Sequence, residues 1–81
     1  MTYYVYILHS QKTGRLYTGS TEDIERRFAE HNAGHSKATR HARPYTLVYH
    51  EEYPTRGDAM KRERYLKSGL GRSFLKRVLQ G

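Results

Sequence analysis

Five side chains in this sequence are of types that do acid–base and charge-stabilising work. They are the phenols of Tyr6 and Tyr17, the guanidinium of Arg27, the imidazole of His31 and the carboxylate of Glu63. Together they are what phosphodiester hydrolysis needs. No other constellation in the chain offers a complete reaction. There is no cysteine nucleophile and no Walker-type glycine loop.

Taken singly, each of the five also has a plainer role. Eight of the 81 residues are tyrosine, so two phenols on adjacent strands can be packing with a satisfied hydroxyl. Arg27 can be a solvated cation or an ion-pair partner of Asp23. His31, near the end of a helix, can simply favour the dipole and the last carbonyls. Glu63 can pair with Lys67 or an arginine, which would offset the cost of a carboxylate on an apolar stripe. It is the set that points to chemistry.

The elements that must position this set are legible in the residue pattern. Residues 3–8 are dense in aromatic and β-branched types and read as a strand covered on both faces. Residues 10–14 supply a turn, with Gly14 free to adopt a left-handed conformation, and residues 15–19 return as a second strand. In such a hairpin Tyr6 and Tyr17 share a face, because side chains two apart point the same way and cross-strand neighbours lie close. Ser20 or Thr21 is expected to cap the helix that follows, with Glu22 and Asp23 in its first turn and a stop at Asn32-Ala33-Gly34. Ile24 and Phe28 form its apolar stripe, and Arg27 and His31 fall on that same stripe, facing two potential cations toward the sheet.

Residues 34–44 read as a mobile basic loop, and residues 45–53 as a third strand ended by Pro54. Thr55 caps a second helix, with Asp58 in the position of a capping-box acid. Its inward positions are Ala59, Met60, Leu66 and Leu70, with Glu63 out of pattern among them. Gly69 and Gly71 are expected to break that helix before a last short one over residues 73–80, striped by Phe74, Leu75, Val78 and Leu79. The order is therefore β-β-α-β-α-α, an α+β class.

Bulk properties narrow the setting. A chain of 81 residues is expected to form one domain over residues 1–81 with a thin core. The absence of cysteine excludes disulfides and cysteine zinc sites. The longest apolar run is too short to cross a bilayer, so no membrane partner and a cytoplasmic location are expected. A formal net charge of +7 and a pI near 9.9 point to a polyanion partner, nucleic acid above all, with DNA favoured over RNA.

The tripeptides Tyr4-Val5-Tyr6 and Tyr17-Thr18-Gly19, ten residues apart and followed by Arg27, His31 and Glu63, resemble the signature of the GIY-YIG nuclease domain. Ser20-Thr21, Asp23-Ile24, Arg26-Arg27, His31-Asn32, Arg43-Pro44 and residues 59–67 extend the resemblance over nearly the whole chain, which looks most like the small stand-alone bacterial members. The departures are Tyr4 for glycine, Val5 and Thr18 for isoleucine, and Leu75 where some family nucleases carry an asparagine.

The resemblance implies a three-stranded antiparallel sheet flanked by helices. It also implies hydrolysis with one divalent ion, Mg²⁺ or Mn²⁺, held weakly by Glu63 until substrate arrives. Within that frame Tyr6 is the first choice for general base, with Tyr17 placing the water or phosphate. A phenol of ordinary pKa is only about a thousandth ionised at neutral pH, so Arg27 must favour phenolate as well as clamp the phosphate. His31 is a hydrogen-bond partner of Tyr6 or an alternative base. All five side chains must converge on one concave surface for this to work, with Glu63 on the same side of the sheet as the rest. Lys37, Arg40, Arg43, Lys67, Arg72, Lys76 and Arg77 would hold the nucleic-acid backbone in a salt-dependent and sequence-independent manner, so structure-selective or weak non-specific cleavage is expected. The competing reading is a binding module of the same fold with weak or absent catalysis, which Leu75 favours.

Overall fold

The first strand carries the fold because it is apolar without interruption. In the computed structural model, which describes residues 1–80, β1 (Tyr3–Ser10) is the centre of a three-stranded antiparallel sheet. It lies between β2 (Leu16–Thr21) and β3 (Tyr45–Tyr53), in the order β2-β1-β3. Val5, Tyr6, Ile7 and Leu8 are all buried, as expected of a strand covered on both faces. The turn between β1 and β2 is tied by Ser10, whose hydroxyl accepts from the Lys12 and Thr13 amides. Gly14 takes the left-handed conformation there, at φ 77°.

Alternation along β1 divides the core in two. Val5 and Ile7 pack with Ala59, Leu66 and Leu75 from α2 (Arg56–Lys67) and α3 (Gly69–Gln80). Tyr6 and Leu8 pack on the other face with Tyr45 and with Ile24 and Phe28 of α1 (Ile24–Ala33). The sheet thus sits between one helix and two, the α+β arrangement and element order expected from the sequence. Among the described residues no helix is long and apolar enough to cross a membrane.

Several boundaries differ from expectation, each for a local reason. The cap of α1 is Asp23, whose carboxylate accepts from the Arg26 amide. Ser20 and Thr21 stay in β2 because they pair with Val5 and Tyr4. Residues 34–44 are not a loose loop: Thr39 is fully buried, a 3₁₀ turn spans Arg40–Ala42, and the Ser10 hydroxyl donates to the Ala42 carbonyl. The break between α2 and α3 falls at Ser68, and α3 begins at Gly69 rather than at residue 73. Gly71 lies inside α3 and lets it cross α2 closely; a Cβ there would collide with the Tyr65 carbonyl and Leu66 Cα. Met60 and Leu70 point outward, 48% and 74% exposed, because the two short helices turn them away from the sheet. The expected cap of α2 is present, Thr55 accepting from the Asp58 amide.

Candidate active site

Tyr6 is the pivot. Its partner across the hairpin is Gly19, while Tyr17 pairs with Leu8 and so lies diagonally from Tyr6 on the same face. The two rings have centroids 6.4 Å apart. The Tyr6 ring crosses β2 directly over Gly19, where a Cβ would lie 2.5 Å from the phenolic oxygen. Only glycine allows the phenol to reach this edge of the sheet.

From α1, His31 meets the phenol. Its Nε2 is 2.9 Å from the Tyr6 hydroxyl and its Nδ1 is 2.7 Å from Thr39 Oγ1. The imidazole is fully buried, with the Tyr17 ring centroid 5.0 Å away. Thr39 is fixed in turn by the Tyr45 hydroxyl, which donates to its carbonyl at 3.0 Å. Burial, followed by the Arg27 charge, lowers the His31 pKa below its usual 6.5. The ring is neutral at pH 7, with one nitrogen free to accept, so the cationic role of complementing the helix dipole does not apply.

Arg27 stands one turn before His31. It donates to Glu30 Oε1 at 3.1 Å rather than pairing with Asp23, and its charge is felt at both Tyr6 and Tyr17. That charge does not make Tyr6 acidic. Burial first, then the neighbouring Tyr17, push the Tyr6 pKa up to about 12; Arg27 works against this without prevailing, and Glu63 adds to the rise. The expectation of a phenolate prepared by Arg27 is therefore not met in the free protein. At a pKa of about 12 only about one phenol in a hundred thousand is ionised at pH 7.

Glu63 arrives from the opposite layer. Its helix packs on the Val5 face of the sheet, and its Oε1 accepts from Ser20 Oγ at 2.6 Å, next to Gly19 on the edge strand. The other oxygen accepts from Lys67 Nζ at 2.7 Å. The expected convergence on one side of the sheet is therefore not met: four of the residues come from the α1 side and Glu63 from the α2 side, and its charge reaches Tyr6 around the edge of β2. A groove of about 240 Å³ lies along this edge, lined by Tyr17 and Thr18 together with Lys67 and Arg72; of the five residues it is Tyr17 that lines it.

As a ligand set Glu63 is sparse. Among the described residues no three His, Cys, Asp or Glu side chains cluster to cage a metal. One half-buried carboxylate beside a hydroxyl fits a hard cation that keeps most of its waters, such as Mg²⁺, and does not fit a metal that needs several protein ligands.

The basic residues divide into two groups. Lys67, Arg72 and Lys76 line the edge groove or its continuation toward His9 and Leu79, and Arg77 is exposed on α3. Lys37, Arg40 and Arg43 are exposed on the connection that carries Thr39. Leu75, where an asparagine might have stood, is in the core at 2% exposure. Sequence reasoning missed Ser20, Thr39 and Glu30 as supports. Only Glu30 carried a signal, its i+3 spacing from Arg27.

With this geometry in view, comparison with known proteins is decisive. The model of the GIY-YIG catalytic domain matches residues 2–76. The chain belongs to the GIY-YIG family. That membership supports a nuclease-like function. The chain is 41% identical over 80 residues to a UPF0213 protein of Staphylococcus saprophyticus, covering 98% of this chain and 96% of that one. It is 44% identical over 78 residues to a UPF0213 protein of the archaeon Natronomonas pharaonis, covering 95% and 89%. Its fold is similar to the solution NMR structure of the UPF0213 protein BH0048 from Bacillus halodurans, with a TM-score of 0.59 and 36% identity over 96% of this chain and 85% of that one. This GIY-YIG fold is thus shared with small relatives in bacteria and archaea.

Proposed function

We propose that this GIY-YIG chain is a metal-dependent endonuclease that hydrolyses phosphodiester bonds in DNA, structure-selectively or non-specifically, without reading base sequence. The observation that carries the reading is the 2.9 Å contact between the Tyr6 hydroxyl and the buried, neutral His31, with the Arg27 and Glu63 charges both reaching that phenol.

The contact resolves the difficulty that the raised pKa creates. Tyr6 accepts a proton from the attacking water as its own proton passes to His31 Nε2, so no free phenolate is required. His31 does this in the tautomer whose Nδ1 proton is donated to Thr39 Oγ1. Tyr17 flanks the phenol and positions the water or the phosphate. Arg27, already oriented by Glu30, meets the charge that develops on the phosphate oxygens. Glu63, steadied by Ser20, would hold the divalent ion. When bound, that ion neutralises phosphate charge and stabilises the departing oxygen.

The cationic groove and the exposed cations of α3 bind the backbone, and among the described residues nothing resembles a helix or ribbon placed for base readout. A second reading, a binding module without turnover, has one structural observation in its favour: Lys67 occupies the Glu63 oxygen that a cation would need.

Nicking of supercoiled plasmid in Mg²⁺ or Mn²⁺ separates the two. Wild-type protein is expected to convert the plasmid to open circles, while Glu63→Ala binds but does not cleave. Equal absence of nicking by both, with salt-sensitive binding retained, would establish the binding module instead.

A further inference from the structure

Glu63 and Lys67 stand one helical turn apart on α2, and their side chains meet. Both carboxylate oxygens are engaged, Oε1 by Ser20 Oγ at 2.6 Å and Oε2 by Lys67 Nζ at 2.7 Å. The two partners are not equivalent. The Ser20 hydroxyl is neutral, sits on a strand and keeps lone pairs, so it can remain beside a cation held on Glu63. The Lys67 ammonium has three donors and no lone pair, and its charge repels a second cation on the same carboxylate.

Lys67 is also the partner that can leave. Its side chain is 53% exposed against 21% for Glu63, and an exposed ion pair on a flexible stem costs little to open. An alternative site for its charge lies alongside. Lys67 lines the edge groove with Tyr17, Thr18 and Arg72, and Arg72 continues into the adjoining groove with Lys76. A phosphate seated between Tyr17 and Arg72 would compete with Glu63 for this ammonium, with the stronger charge.

We propose that Lys67 is an exchangeable occupant of the Glu63 carboxylate, holding Oε2 in the free protein and passing to a nucleic-acid phosphate in the edge groove, which opens Glu63 to a divalent cation. This rests on Glu63 being the cation ligand, as in the function proposed above. Cation and nucleic acid then assist one another, since whatever draws Lys67 off Glu63 lowers the cost of the other's binding, and such coupling is reciprocal. The free protein is held in a state that binds cations poorly, and the site is completed by substrate.

The test reads metal and nucleic-acid binding separately, without turnover. Mn²⁺ is titrated into the full chain with no nucleic acid, following free Mn²⁺ by electron paramagnetic resonance. Lys67→Met is expected to bind Mn²⁺ about fivefold more tightly than wild type, the upper worth of an exposed pair. Lys61→Met, which removes an exposed charge of the same helix that makes no ion pair with Glu63, is expected to change affinity by less than about twofold. In chelator, fluorescence anisotropy with a labelled DNA duplex should show Lys67→Met binding more weakly than wild type. Equal Mn²⁺ affinities for Lys67→Met and Lys61→Met, or unchanged duplex affinity in Lys67→Met, would overturn the exchange. Adding Glu63→Gln to Lys67→Met distinguishes the two levels. If Mn²⁺ binding is lost, Glu63 is the ligand whatever Lys67 does; if it persists, the reading of Glu63 fails and the exchange with it.

Discussion

The Tyr6 phenol lies across Gly19 of the neighbouring strand, in the space that any side chain at position 19 would fill, 2.5 Å from where its Cβ would stand. The glycine on β2 and the tyrosine on β1 are thus one device. The absence of a side chain at one is what delivers the hydroxyl of the other to His31. Gly19→Ala is expected to displace the phenol, break its bond to His31 and lower stability by about 1–3 kcal/mol, the usual cost of overpacking a filled site. Urea unfolding measures the loss. Cleavage should fall more steeply than stability, and a wild-type cleavage rate in a folded Gly19→Ala protein would show that the crossing is dispensable.

His31 makes stability depend on pH in a defined direction. Burial first, then the Arg27 charge, hold its pKa below 6.5, with Glu30 opposing. The unfolded chain therefore takes up the proton before the folded one. The stability contributed is complete above about pH 6.5 and is lost as pH falls toward the lowered folded value. Urea midpoints for wild type should drop as pH falls from about 6.5 toward the lowered folded value, whereas His31→Gln, less stable throughout, should lose the part of that drop due to His31. Cleavage by wild type should fall through the same acid window and stay level above it. A rate that keeps climbing in alkali toward the Tyr6 pKa of about 12 would mean that free phenolate, not neutral His31, is the working base.

On the opposite face Glu51 and Arg62 form a pair that belongs to the fold. Arg62 donates to both oxygens of Glu51, at 2.8 and 3.1 Å, with its guanidinium 4.9 Å from the ring centroids of Tyr65 and Phe74. The Tyr49 and Tyr53 hydroxyls also donate to Glu51. Burial alone would raise the Glu51 pKa, but these hydrogen bonds outweigh it and hold the carboxyl below its ordinary value. Glu51→Gln is expected to cost about 1.5–3 kcal/mol in thermal or urea unfolding near neutral pH. The difference from wild type should shrink in acid, as pH falls through the lowered Glu51 pKa. Duplex affinity and cleavage by the folded fraction should be unchanged, and a selective loss of either would assign this pair a functional role.

The sheet, its order and the two-sided core were legible because β1 is continuously apolar and the turns and helix stops carry their usual residues. Asp23, Ser20 and Thr39 were less so. A hydroxyl or carboxylate before a helix has several competing uses, and which one it takes depends on strand pairing that only the folded chain fixes. Thr39 sits in a polar stretch with no period, and its burial follows from the closing of residues 34–44 over Tyr45 and Ser10. The five site residues were singled out together through family likeness. Their meeting around an edge, and the upward shift of the Tyr6 pKa, required the packing of Tyr6 over Gly19 and of α2 against β2.

The central claim is that Tyr6, in contact with His31 and facing the charge of Glu63, hydrolyses a phosphodiester. Its most direct test is single-turnover cleavage of an end-labelled DNA duplex or branched DNA in Mn²⁺ by wild type, Tyr6→Phe and Glu63→Gln, with binding to each substrate measured beside it in chelator. The account predicts cleavage by wild type and a fall of about a hundredfold or more for each variant, the usual worth of a positioned proton acceptor or charge stabiliser, with affinity in chelator within about threefold of wild type. Cleavage by Tyr6→Phe at the wild-type rate, or bound but uncleaved DNA with all three proteins, would contradict it.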